Sequence, residues 1–373
     1  MKKQIIYLSS VIETLKYFKY FNYPPTEDEL YVFNKKKSPF DRFKSVLEKM
    51  VKEGVITRIF NSQFSISNKF PIFNFQNEKN QKQVRYTLPE YGIKKYQISN
   101  IKNQRLKNSN ETMEQWNNFN KRYETSKNKL SSLKFEFYIK LLSLFPQIKL
   151  VGLSGSMAMM NADEDDDVDL FIITAKNRLF TGRFITLILA QLLNLRRRRD
   201  VSPSKVKRIA FASSLKYKNK ICLNLFFDES ALAVPKFKRS EYVAHEVLQM
   251  KPIVNKSQSH ERFIRANEWV QKIFPNTAWI NSKFKVQNSK LQSKIQNFKL
   301  LTATFHFSLL IFNLIGGWIE FILKKFQLTF INRHRTSEII TKHQLWFHPE
   351  DFGKKLPFNL KRQEGKDSGG DKN

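Results

Sequence analysis

The sequence predicts an α/β (α+β) protein, on three observations. Residues 149–153, 168–173 and 221–227 are short runs rich in branched and aromatic side chains, the composition of buried strands. Residues 130–145 and 185–193 lie between and before those runs and carry their apolar residues at helical spacing. The first sixty residues add a separate pattern of three helices followed by short strand-like runs.

The N-terminal pattern starts with a helix over 11–21. Lys2 and Lys3 precede an apolar stretch, but Glu13 and Lys16 interrupt it too soon for a secretory leader. Pro24, Pro25 and Thr26, with Glu29 three residues after Thr26, supply a turn, a cap and a second helix start. Ser38-Pro39-Phe40 opens a third helix whose Phe43, Val46, Leu47 and Met50 share one face. Arg42, Lys44, Lys49 and Lys52 are left on its outside. Gly54 stops it, and residues 55–60 with 64–66 read as a two-stranded wing. This order resembles a winged-helix domain over residues 1–95, ending near Arg85-Tyr86-Thr87-Leu88. The resemblance implies either DNA binding through the third helix or protein contact.

Residues 96–130 are polar and read as a linker or a polar helix. In the helix that follows, Leu133, Phe137, Leu141 and Leu144 form the stripe expected to pack on a sheet. The α/β region is expected over 131–280, with Glu246, Met250, Phe263 and Trp269 as core or pocket candidates. A second linker is expected at 281–297, then a helical region to 360 and a disordered polar tail over 361–373.

The chemistry concentrates at Ser154-Gly155-Ser156 and Asp167-Val168-Asp169. The first stretch breaks a strand into a helical turn, which exposes backbone N–H groups suited to an anion. In the second, strand alternation turns Asp167 and Asp169 to one face, and paired carboxylates repel unless a cation lies between them. Hard divalent ions such as Mg2+ take such oxygens and share substrate phosphates. Asp163, Glu164, Asp165 and Asp166 read as loop charges.

A hydrophobic residue, Gly-Ser, about ten residues of spacer and Asp-hydrophobic-Asp together resemble the fingerprint of the nucleotidyltransferase superfamily, over residues 149–228. The resemblance implies a mixed sheet with helices. It also implies that Gly155 and Ser156 contact the nucleotide's phosphates and that Asp167 and Asp169 hold the metal. A complete site has a third carboxylate on a neighbouring strand. Here the expected position holds Asn224, an amide that can ligate a metal but cannot act as a base. Strand alternation puts Cys222, Asn224 and Phe226 on one face, with Asp228 too far along to substitute. Arg183, at the start of the helix over 183–193, is a candidate phosphate contact.

A formal net charge of +32 favours polyanionic partners, either nucleic acid through the basic N-terminal region or an anionic membrane surface. The single cysteine, Cys222, excludes an intramolecular disulfide framework and fits a reducing, cytoplasmic setting. Residues 300–319 contain no Asp, Glu, Lys or Arg and are long enough to span a bilayer. Their Thr, His, Ser and Asn residues, and Glu320 just beyond, favour a buried or interfacial helix instead. His334, His343 and His348 lack metal-ligand spacing. The expected activity is Mg2+-dependent nucleotidyl transfer from a nucleoside triphosphate to a hydroxyl acceptor. The alternative is a DNA- or partner-binding regulator with a lapsed transferase site.

Overall fold

The computed structural model describes residues 2–60, 84–88, 101–196, 220–277, 316–333 and 338–347. The chain is a mixed α/β protein divided into two compact units, residues 1–128 with 269–299 and residues 129–268 with 300–373.

The first unit opens with α1 (Lys2–Tyr20), α2 (Glu27–Val32) and α3 (Phe40–Lys52). The start of α2 is set by a capping box: Thr26 Oγ1 accepts from the Glu29 N–H, and Glu29 Oε2 accepts from the Thr26 N–H at 2.8 Å. Phe43, Leu47 and Met50 of α3 are buried against Val11, Leu15 and Leu30, while Arg42, Lys44, Lys49 and Lys52 stay exposed, as the helical spacing predicts. Strand β1 (Thr57–Phe60) pairs antiparallel with β2 (Val84–Thr87), and Thr26 bridges Arg85 to extend that ribbon. The partner of β1 is thus Val84–Thr87, and the expected strand over 64–66 lies outside the described residues.

Helix α4 (Ile101–Leu130) occupies the stretch expected as linker or polar helix. It contributes Trp116 and Phe119 to the core, and the Arg85 guanidinium stacks 4.4 Å from the Phe119 ring centroid. Residues 269–277 belong to this unit rather than to the α/β region where they were expected. The reason is physical: Asn276 Nδ2 donates to the carbonyls of Tyr31, Asn34 and Lys36, its Oδ1 accepts from the Ser38 N–H, and Phe274 packs on Phe33.

The second unit is built on a six-stranded mixed sheet in the order β6-β3-β4-β5-β8-β7. Its strands are β3 (Ile148–Leu153), β4 (Val168–Thr174), β5 (Ile221–Asp228), β6 (Lys251–Asn255), β7 (Ile339–Ile340) and β8 (Gln344–Trp346). β4 and β5 are parallel, and the other neighbours are antiparallel. The region expected to be helical over 298–360 holds a helix at Gly316–Arg333 and, after it, the last two strands of the sheet.

Helices cover both faces of the sheet. On one side, α5 (Leu133–Leu144) and α7 (Leu179–Leu192) meet through the hydrogen bond from Tyr138 Oη to the Thr186 carbonyl. On the other, α8 (Glu241–Gln249) and α9 (Ser259–Ala266) pack through Met250 and through Phe263 against Phe171 and Phe227. In α5 the buried stripe is Phe135, Tyr138, Ile139 and Leu142, whereas Leu133 and Phe137 are exposed. Both stripes of this helix are apolar, and the one that holds the larger aromatics won the sheet. Helix α11 (Gly316–Arg333) lies on α7; α6 (Gly155–Ala158) and α10 (Val270–Ile273) are single turns. No described helix is long and apolar enough to cross a membrane, and residues 300–315 of the expected span lie outside the described residues.

Candidate functional site

The Gly-Ser turn and the Asp-Val-Asp strand meet because β3 and β4 are adjacent antiparallel strands. Leu153, the last residue of β3, pairs with Leu170, and the Ser154 N–H donates to the Asp169 carbonyl at 3.1 Å. The chain then turns sharply at Gly155, whose φ of +58° is a conformation that side chains with a Cβ rarely adopt. A Cβ there would also stand 3.0 Å from Asp169 Oδ2. Glycine is favoured twice over, once by the backbone and once by the close approach of the turn to the carboxylate.

Ser156 is next, and its Oγ donates to Asp166 Oδ2 at 2.9 Å. Asp166 also accepts from the Asp163 N–H, and the buried Lys129 Nζ donates to the carbonyls of Asp163 and Asp166. Asp166 is therefore more than a loop charge, since it fastens the loop that delivers Asp167 to the Gly-Ser turn. Asp167 lies just before β4 and is partly buried, with Asp169 two residues on.

A further carboxylate arrives from a helix. Gly152 leaves a gap on β3 that Met250 fills, its Sδ occupying the space a Cβ would need. That contact seats α8 on the face of the sheet that carries Asp169. One helical turn before Met250, the Glu246 carboxylate receives the Gly155 backbone N–H and a hydrogen bond from Tyr242. By its sequence alone Glu246 is only a core or pocket candidate. Its spacing of four from Met250 was the available signal, although the gap at Gly152 that seats the helix shows only in three dimensions.

The electrostatics follow from this crowding. Burial raises the Asp169 carboxyl to about 7, opposed by a hydrogen bond from the Cys222 thiol and reinforced by the negative charges of Glu246, Asp167 and Asp166. Burial likewise raises the Glu246 pKa, while the bonds from Tyr242 and Gly155 draw it down. Asp169 and Glu246 thus hold their protons to higher pH than free carboxyls do, and the cluster has the donor chemistry for a hard cation.

Asn224 lies beside Cys222, as strand alternation predicts, but Phe226 does not share that face. Between Asp169 and Phe171 of β4 lies one residue, whereas their partners Cys222 and Leu225 on β5 are separated by two. The extra residue makes a bulge at 223–224, after which Leu225 and Phe227, not Phe226, share the face of Cys222. The strand neighbour of Asp169 is thus Cys222, and Asn224 Nδ2 donates to its Sγ at 2.6 Å. Asp228 lies at the far end of β5, where it accepts from the N–H groups of Asn177 and Ser230.

Arg183 is not brought to the carboxylates. Helix α7 begins at Leu179, four residues earlier than expected, and covers the opposite face of the sheet. Gly182 packs on Thr174, which is roughly 16 Å along β4 from Asp169. The Arg183 guanidinium donates to Gln327 Oε1 at 2.6 Å and stacks on Phe347. The exposed N–H groups of α7 are also taken, because Glu320 accepts from Phe180 and Thr181.

Among the described residues, no three His, Cys, Asp or Glu side chains are spaced to hold a metal ion by themselves. Magnesium does not need three, because it commonly binds one or two carboxylates together with substrate phosphates. Asp167 and Asp169 fit that donor set. A shallow apolar cleft of about 410 Å³ lined by Leu133, Phe137 and Leu193 lies elsewhere, between α5 and α7.

No family model, curated protein or solved structure matches this chain.

Proposed function

We propose that the second unit is a nucleotidyltransferase that moves a nucleotidyl group from a nucleoside triphosphate to a hydroxyl acceptor. The observation that carries this reading is the convergence of Asp169 Oδ2 on Gly155, at a positive-φ turn where a Cβ would stand 3.0 Å from the carboxylate. Asp167 and Asp169 hold Mg2+, which when bound supplies positive charge to the phosphates. Gly155 lets the chain approach a phosphate closely, and Ser156, tied to Asp166, fixes the angle of the turn. Glu246 positions the same turn from α8 through the Gly155 N–H. In the transfer the acceptor hydroxyl gives up its proton to solvent as its oxygen bonds to the α-phosphorus, the bridge to the β-phosphate breaks, and pyrophosphate leaves.

Two observations favour a second reading, a regulator that retains a nucleotide site without turnover. Cys222 stands beside Asp169 where a third acid would serve, and the first unit presents Arg42, Lys44, Lys49 and Lys52 along one exposed helix. The order of α1, α2, α3 and the β1–β2 ribbon supports a winged-helix reading of that unit, with α3 as its nucleic-acid contact.

Titration calorimetry with a nucleoside triphosphate, with and without Mg2+, tests the site on wild type and on Asp169→Asn. Metal-dependent binding that Asp169→Asn weakens at least tenfold supports a metal–nucleotide site. Binding indifferent to both metal and substitution refutes it. Pyrophosphate release in the presence of hydroxyl acceptors then separates transferase from regulator.

A further inference from the structure

Helix α11 has its polarity reversed. Its inward side is polar: Glu320 caps the start of α7, and Gln327 joins Arg183 to the Phe180 carbonyl. Its outward side is apolar, with Trp318 74 % exposed and Phe321, Ile322, Phe326 and Phe330 each more than half exposed. These positions recur at three- and four-residue intervals, together with Lys325, Thr329 and Arg333, so they form one continuous stripe.

The charges on the stripe select among occupants. Lys325 lies 4.4 Å from the Phe321 ring centroid and Arg333 5.8 Å from that of Phe330, so both cations accompany the aromatics. The one acid of α11, Glu320, is already committed to α7. A second copy of the chain would bring two molecules of net charge +32 together, with these cations among the contacts. Anionic headgroups complement them instead, and Trp and Phe beside Lys and Arg are the residues that settle at a lipid–water boundary.

We infer that the outward face of α11 docks on an anionic lipid surface, with Trp318, Phe321, Ile322, Phe326 and Phe330 entering the acyl boundary and Lys325 and Arg333 meeting headgroup phosphates. The helix lies along the surface, since its inward side is already bonded to α7 through Glu320 and Gln327. This inference does not depend on the transferase reading.

The test uses the full chain and vesicles of phosphatidylcholine with or without phosphatidylglycerol. Wild type is expected to float with the phosphatidylglycerol vesicles, and the triple variant Phe321→Ser/Phe326→Ser/Phe330→Ser to partition at least tenfold less. Lys325→Glu/Arg333→Glu is expected to erase most of the preference for phosphatidylglycerol. Brominated lipid is expected to quench wild-type tryptophan emission more than that of Trp318→Phe, and this comparison stands even if the triple variant misfolds. Equal partition of the triple variant and wild type would assign binding to the general basic charge and overturn the proposal. So would quenching indifferent to Trp318, or a dimer that the triple variant dissociates with no vesicle binding by wild type.

Discussion

Gly155 and Asp169 make up the smallest unit of the proposed mechanism, and each gives a measurable consequence. Gly155→Ala sets a Cβ against Asp169 Oδ2 and forces a side chain into positive φ. A loss of about 1–3 kcal/mol in folding stability is expected by chemical denaturation, with nucleotide affinity lost beyond that deficit. Asp169 gives a pH signature. Its pKa is about 7 when folded against an ordinary 3.8, so the folded protein keeps a proton that the unfolded chain has released. The stability this carboxyl contributes is therefore full below about pH 4 and is lost as pH rises through 7. Without metal, Asp169→Asn is expected to be more stable than wild type by about 1–2 kcal/mol at pH 8 and nearly equal to it at pH 4, a full shift being discounted because the group is partly open to solvent. A pair of denaturation curves that keep the same separation at both pH values would contradict the crowding of charge described at this site.

Helix α7 is held at its start by a side chain rather than by its own sequence. Arg178 makes no capping bond there, and Glu320 supplies the acceptors from α11. Glu320→Ala is expected to cost about 1–2 kcal/mol, read as a lowered melting temperature, because two N–H donors and the Thr181 hydroxyl lose their partner. That cap was hidden from the sequence, which contains about 140 residues between Glu320 and Phe180 and no local sign that they meet. The same limit explains the other misplacements. Capping and periodicity are local, so α2, α3, β3 and β4 were legible, as was the turn that joins Gly155 to Asp169. The face of α5, the bulge at 223–224 that turns Phe226 away from the face of Cys222, the seat of Glu246 and the displacement of Arg183 all depend on which of several apolar surfaces wins a partner. That competition is decided by packing over long separations.

On the scale of the whole chain, two units with separate cores predict two unfolding events. Asn276→Ala is expected to lower one thermal transition in calorimetry by leaving the carbonyls of Tyr31, Asn34 and Lys36 without their donor, while the transition of the sheet unit stays in place. A single transition that moves as one would show the units to be energetically inseparable. The route of the chain carries a further implication. Residues 269–277 return to complete the first unit, and β7 and β8 complete the sheet later still. On a ribosome, the first unit therefore waits for Asn276 to emerge before its loop carbonyls are satisfied, by which time β3 to β6 have already been synthesised. Every residue of the proposed metal pocket is in this way synthesised before the first unit is complete, and a chain that stops before β8 lacks one edge of the sheet.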